Sequence, residues 1–199
     1  NAARSSGAPG GVDCHVHVFD SARFPFAANR SYSPGEATVA ELMTFMDRNA
    51  IQRAVVVQPS AYGSDNRCLV DALRRLGPER GRGIAVIDPG TISGQDIQTL
   101  KAAGVVGIRV NLHVAGENRL AAAGDAIRSA CSIAASHGLL VQIYADMALL
   151  AGLEPVLATA PVQIVLDHFA GARAAQGLKQ EGLAATLRLL RMGHVWIKL

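Results

Sequence analysis

Asp13, His15 and His17 occupy alternate positions of the segment Val12-Asp13-Cys14-His15-Val16-His17-Val18-Phe19. Alternation of polar and apolar residues is the signature of a strand with two unlike faces. On such a strand, residues two apart lie roughly 6.5–7 Å from one another, so both imidazoles project to one side. Two neutral imidazoles can ligate a metal, and a protonated one can polarise a carbonyl. The opposite face, Val12, Cys14, Val16 and Val18, is wholly apolar and is expected to lie against a core. Polar residues also close other apolar runs: Gln58 and Ser60, then Arg109, Asn111 and His113, then Gln142 and Tyr144, then Asp167 and His168. Arg119 follows in the loop after the run that holds Arg109.

The elements that must carry these residues can be read in order. Apolar runs at residues 12–19, 53–58, 83–87, 105–112, 139–144, 162–167 and 195–199 read as strands. Segments 37–49, 66–76, 96–103, 122–137, 149–158 and 178–192 carry apolar residues at helical spacing, and several end at a glycine. Strand and helix therefore alternate, which implies parallel strands joined by right-handed crossovers. A doubly wound sheet and a (β/α)8 barrel both fit that alternation. The glycine-rich dinucleotide fingerprint is missing after the first strand, where Asp20-Ser21-Ala22-Arg23 stands. Polar residues gather at the C-terminal ends of several strands, as a barrel site requires, so the expected fold is a (β/α)8 TIM-type barrel. The seventh apolar run is the last in the sequence, so the barrel is expected to be a truncated one, completed in a longer protein. Residues 1–11 are small, polar and glycine-rich and are expected to form a disordered leader, with the barrel domain over residues 12–199.

Composition narrows the function. Of 199 residues, half are apolar and 18% charged, the range of ordinary globular proteins. The net charge of +3 comes from scattered basic residues, mostly arginine, which argues against a nucleic-acid footprint. No run of 18 apolar residues exists to span a bilayer. Cys14, Cys68 and Cys131 are odd in number and widely spaced, as in a reduced cytoplasmic protein. Whether the chain forms a homo-oligomer stays open.

Three motifs together carry a resemblance: Asp13-Cys14-His15-Val16-His17-Val18-Phe19, Gly107-Ile108-Arg109-Val110-Asn111 and Val165-Leu166-Asp167-His168-Phe169-Ala170-Gly171. With them the chain resembles the amidohydrolase superfamily, in its "amidohydrolase 2" branch, and most of all lactonases acting on 2-pyrone-4,6-dicarboxylate and related sugar-acid lactones. That resemblance implies a hydrolase of a small lactone bearing carboxylates. His15, His17 and His168 would surround the scissile carbonyl and stabilise the oxyanion. Arg109 and Arg119 would fork onto substrate carboxylates, with Ser60 and Tyr144 donating further hydrogen bonds. The family's water-activating base is an aspartate ending the eighth strand, which is expected in the rest of a longer chain.

Metal-binding members use a histidine at the end of the fifth strand, where this chain has Tyr144. The expectation is therefore a metal-free site without a cofactor, with a zinc-dependent decarboxylase, hydratase or amide hydrolase of the same fold as the alternative. A catalytically silent partial barrel is a third reading. Plainer roles compete at single positions: Arg109 as the partner of a neighbouring acid, Ser60 as a turn residue, Tyr144 and His168 as packed core residues. His137 reads as a helix-end cap and His194 as structural.

Overall fold

The computed structural model describes residues 10–112 and 120–199. Compact packing divides the chain between Val106 and Gly107. The first unit holds β1 (Val12–Val16), α1 (Val39–Arg48), β2 (Arg53–Val57), α2 (Arg67–Leu76), β3 (Gly81–Ala85) and α3 (Gly94–Ala102). Here β1 pairs with β2 and β2 with β3, all parallel. β4 (Val105–Asn111) begins at the boundary, and the second unit continues with α4 (Leu120–His137), β5 (Leu140–Tyr144), α5 (Met147–Gly152), α6 (Glu154–Ala158), β6 (Ile164–Leu166), α7 (Leu183–Leu190) and β7 (Val195–Ile197). β4, β5, β6 and β7 again pair in chain order and in parallel. Sequential parallel strands with helical crossovers are the (β/α)8 barrel class, with seven of its strands among the described residues.

In the first unit, the helices form because an apolar stripe meets good caps. Thr38 and Glu41 make reciprocal contacts at the start of α1, as Ser93 and Asp96 do for α3. Leu42 and Met46 of α1 join Leu69, Leu73 and Leu76 of α2 over Ala54 and Val56 of β2. The first strand departs from the expected pattern. Asp13 pairs with Ala54 but Val16 with Val56, so three steps on β1 match two on β2. That is a bulge. Asp13 Oδ1 accepts the N–H of His15 at 3.0 Å, which gives a backbone donor inside the bulge a partner. The strand ends at Val16, before His17, rather than at Phe19. The apolar face is also only half used: Val18 is buried, whereas Val12 and Cys14 are exposed, because the α1–α2 core reaches only the later residues.

In the second unit, the faces of the strands are sharply divided. Ile108, Val141, Ile143, Ile164, Leu166 and Val195 are buried apolar residues. Arg109 is level with Gln142 across the β4–β5 pair, and both lie on the opposite face. The expected helix over 149–158 is two helices, α5 and α6, meeting at Leu153. Pro155 sits in the first turn of α6, where a missing N–H is tolerated but continuation of α5 is not. The helix expected over 178–192 begins only at Leu183, because Gly182 turns left-handed with φ 86°.

β6 leads into a short 3-10 turn, His168–Gly171, that sets the direction of His168. His168, Phe169, Ala170 and Gly171 all have positive φ, at 49°, 55°, 55° and 74°. Three successive non-glycine residues in this region carry backbone strain of about 1–2 kcal/mol each. Packing holds them: a Cβ on Gly171 would lie 3.0 Å from Ala145 O and 3.1 Å from Met147 N. Gly171→Ala is therefore expected to cost about 2–4 kcal/mol, from strain and overpacking together; urea unfolding measures it, and a change below about 0.5 kcal/mol, the size of a neutral surface substitution, would contradict this reading of the turn. In the first unit, buried Tyr62 accepts the Asp20 N–H on its hydroxyl at 2.8 Å. Tyr62→Phe leaves that donor without its partner and is expected to cost about 1–3 kcal/mol in the same measurement.

Candidate active site

The polar residues singled out from the sequence fall into two groups, one on each unit. In the first unit the rings of His15 and His17 lie edge to face with centroids 4.9 Å apart. The bulge in β1 and the end of that strand, not strict alternation, set this spacing. Nδ1–H of His17 donates to Val57 O at 2.8 Å, at the end of β2. A carbonyl can only accept, so Nδ1 carries the proton and Nε2 is the nitrogen whose role changes with protonation. Neutral, His17 offers a lone pair there; as imidazolium it offers a second donor. Both histidines are half-buried.

The loop after β2 is fixed by two amides. Fully buried Gln58 donates through Nε2 to Gly63 O at 3.2 Å and Asp65 O at 2.8 Å. Asn66 exchanges hydrogen bonds with the backbone of Val86, at 2.8 Å and 3.1 Å. Ser60 opens a short 3-10 turn, half-buried, and its carbonyl accepts the N–H of Gly63 at 3.0 Å. Its hydroxyl is thereby placed on a fixed turn, in keeping with both readings of that residue. Tyr62, in the same turn, packs against Phe26 with ring centroids 5.0 Å apart. Burial pushes its phenol well above the usual tyrosine range, and Cys68 beside it adds to the rise.

The second unit holds a buried cluster of charge. Asp167, with a fully buried side chain, follows β6 and receives Nη2 of Arg109 (β4) on Oδ2 at 3.3 Å. Nε2 of Gln142 (β5) donates to the same oxygen at 2.9 Å. Lys198, just past β7, lies with Nζ 3.4 Å from Asp167 Oδ1 and donates to Gln142 Oε1 at 2.8 Å. Two cations therefore share one carboxylate, with side-chain exposures of only 4% for Arg109 and 12% for Lys198. Charges drawn from water are costly, and only close pairing offsets that cost. Tyr144, level with Asn111 at the end of β5, has the Arg109 guanidinium 5.7 Å over its ring. His168 meets Tyr144 edge to face with ring centroids 5.0 Å apart, and is exposed.

The structure thus brings Arg109, Tyr144 and His168 together on the second unit, and His15 with His17 on the first. Arg119 and His113 lie outside the described residues. Arg109 does pair with a neighbouring acid, and that pairing belongs to a larger polar cluster. His194 is structural as expected, its ring N–H donating to Leu157 O at 3.0 Å. Sequence reasoning passed over Lys198 and gave Asp167 no role. The signal for both was register: Leu166 pairs with Ile197, which sets Asp167 beside Lys198.

Comparison with known proteins agrees with this fold. The sequence matches the amidohydrolase family over residues 12–199. It is 34% identical over 193 residues to a 2-pyrone-4,6-dicarboxylate hydrolase of Comamonas testosteroni, covering 95% of this chain and 61% of that protein. It is 29% identical to a 4-sulfomuconolactone hydrolase of Rhizobium radiobacter, covering 96% and 63%. The chain thus spans less than two thirds of the length of these relatives. Among solved structures, one described as a probable 2-pyrone-4,6-dicarboxylic acid hydrolase, from Acinetobacter baumannii with citric acid bound, superposes with a TM-score of 0.78 at 30% identity, covering 94% of this chain and 68% of that one. A Pseudomonas putida protein provisionally described the same way gives a TM-score of 0.82 at 28% identity, covering 96% and 68%. The match over nearly all described residues, on a fold of the same class, establishes that this chain belongs to the amidohydrolase family.

Proposed function

We propose that this protein hydrolyses a small lactone bearing carboxylates. The observation that carries the proposal is the buried cluster on the second unit, where the Arg109 guanidinium and the Lys198 ammonium group both lie against the carboxylate of Asp167. Cationic side chains gathered in a poorly solvated place favour an anionic ligand. The relatives named as lactone hydrolases support the same choice, since their substrates are cyclic esters carrying acid groups.

In this reading, water adds to the ester carbonyl carbon, the ring C–O bond breaks, and a carboxylate and a hydroxyl result. The imidazoles of His15, His17 and His168 stabilise the oxyanion by hydrogen bonding, His17 through Nε2–H of its protonated form. Arg109 holds a substrate carboxylate, and Arg119, Ser60 and Tyr144 add to that hold. The resemblance to the family assigns activation of the water to an aspartate of an eighth strand. Its three cysteines are unbridged, consistent with the cytoplasmic setting proposed for it. Among the described residues no helix is long and apolar enough to cross a membrane.

The reading is metal-free. Asp167 is already paired with Arg109 and Lys198, and a divalent cation brought to that carboxylate would meet two positive charges at close range. The residue ending β5 is a tyrosine, not an imidazole. Activity on 2-pyrone-4,6-dicarboxylate is therefore expected to survive dialysis against a chelator unchanged; loss of activity restored by zinc would favour the zinc-dependent alternative instead. Replacing Arg109 by Met is expected to weaken transition-state binding of a dicarboxylate lactone by about 1.5–3 kcal/mol, the size of a charge-assisted hydrogen bond, and to affect a neutral lactone much less. Steady-state kinetics on the two lactones checks this, and equal losses would make Arg109 a purely structural residue.

A further inference from the structure

A cavity of about 600 Å³ lies on the second unit between residues 146–148, just after β5, and the loop that joins β6 to α7. That loop is pinned at both ends against one residue. Gly171 (φ 74°) and Gly182 (φ 86°) both take left-handed backbone, and a Cβ on either would crowd the main chain of Met147. Between the pins, the Gln180 side chain closes the loop on itself. Its Oε1 accepts the Arg173 N–H at 2.9 Å, and its Nε2 donates to Gly177 O at 3.0 Å. The walls are therefore set by the fold, and a ligand does not have to order them.

Arg173 and Lys179 line the cavity from the loop. Both are exposed, and among the described residues neither forms an ion pair. A guanidinium and an ammonium group on one closed loop are suited to an acid group. Asp146 and Glu181 line the same cavity and limit the charge it accepts, because a dianionic phosphate would meet both as repulsive neighbours. Met147 and Ala148 add apolar surface.

We propose that this cavity binds one carboxylate of a small organic acid, with Arg173 and Lys179 as its donors and Met147 and Ala148 against the acid's apolar part. Gly171 is three residues past His168 and Asp146 two past Tyr144, so chain reach alone puts the cavity within about 11 Å of both. The carboxylate therefore comes either from a ligand that also engages Arg109 or from a separate acid. The inference goes beyond the lactonase reading and does not depend on it.

The test follows the backbone amides of Gly177 and Gln180 by heteronuclear NMR on the whole chain, as benzoate or neutral benzamide is added. Benzoate is expected to shift both signals saturably, with a dissociation constant of about 1–10 mM, and benzamide to leave them in place. Arg173→Met and Lys179→Met, both at exposed positions, are each expected to raise that constant about threefold, and the pair together about tenfold. Glu181→Gln removes a negative neighbour and is expected to lower it about twofold to threefold. No saturable shift below about 100 mM benzoate would overturn the proposal. So would an equal response to benzamide, or wild-type affinity in the double variant. Isophthalate separates the two sources. If it binds about tenfold more tightly than benzoate and loses that gain in Arg109→Met, one ligand spans Arg109 and the cavity. If its affinity is unaffected by Arg109→Met, the acid is a separate molecule. Benzoate binding as expected in a chain that opens no lactone would leave this proposal standing and remove the functional reading.

Discussion

The carboxylate of Asp167 is the point on which the second unit turns. It sits with no exposed side-chain surface and draws a donor or a cation from each of the other three strands: Arg109 from β4, Gln142 from β5 and Lys198 from beyond β7. A lone buried carboxylate would be far too costly to keep ionised, so each of these partners is a condition for its presence. The same contacts tie four neighbouring strands at one level, near the ends from which the following loops emerge. Apolar packing on the other face, with Ile108, Ile143, Leu166 and Val195 buried, holds the strands as a layer. That packing is non-directional; the polar cluster is what selects one register of side chains on the opposite face.

Much of this was legible in the sequence, and the reason is geometric. In the second unit the strands are short, parallel and in regular register, so a residue's parity alone tells its face. Arg109 between Ile108 and Val110, and Gln142 between Val141 and Ile143, could be read from that rule. The rule failed at β1. Its bulge inserts a residue into the ladder, and the alternation of Asp13, His15 and His17 no longer maps onto a single ideal strand. The histidines are still neighbours, but for a reason the pattern does not contain. Lys198 was missed for another reason: its importance comes from partners 31 and 56 positions away in the chain, Asp167 and Gln142, and no local pattern announces that. The split of α5 from α6 had a local signal, Pro155, that outweighed the helical spacing around it.

The two imidazole environments differ in how firmly they are set. His17 makes a directional bond, Nδ1–H to the Val57 carbonyl, which decides the tautomer. His168 is instead aimed by its backbone, at the head of four consecutive residues with positive φ. A side chain placed by main-chain strain keeps its direction only while the strain is held, and the close approach of Gly171 to Ala145 O and Met147 N supplies that hold. Tyr144 then links this turn to the charge cluster, packing against His168 and standing under the Arg109 guanidinium.

Placement of His168 and placement of charge are consequently one problem in this unit. Asp167 and His168 are adjacent, so the pull of Arg109, Gln142 and Lys198 on the carboxylate fixes the residue at which the chain leaves β6. Lys198 acts on both sides of that residue, accepting the Phe169 N–H with its carbonyl and meeting Asp167 with its ammonium group. Ala170 N–H closes the turn onto Asp167 O at 2.9 Å. The side chain and the main chain of Asp167 are thus held by different partners, the carboxylate by Arg109, Gln142 and Lys198 and the carbonyl by Ala170. The turn that carries His168 is therefore anchored through both the main chain and the side chain of the residue before it, with Tyr144 packed beside the imidazole.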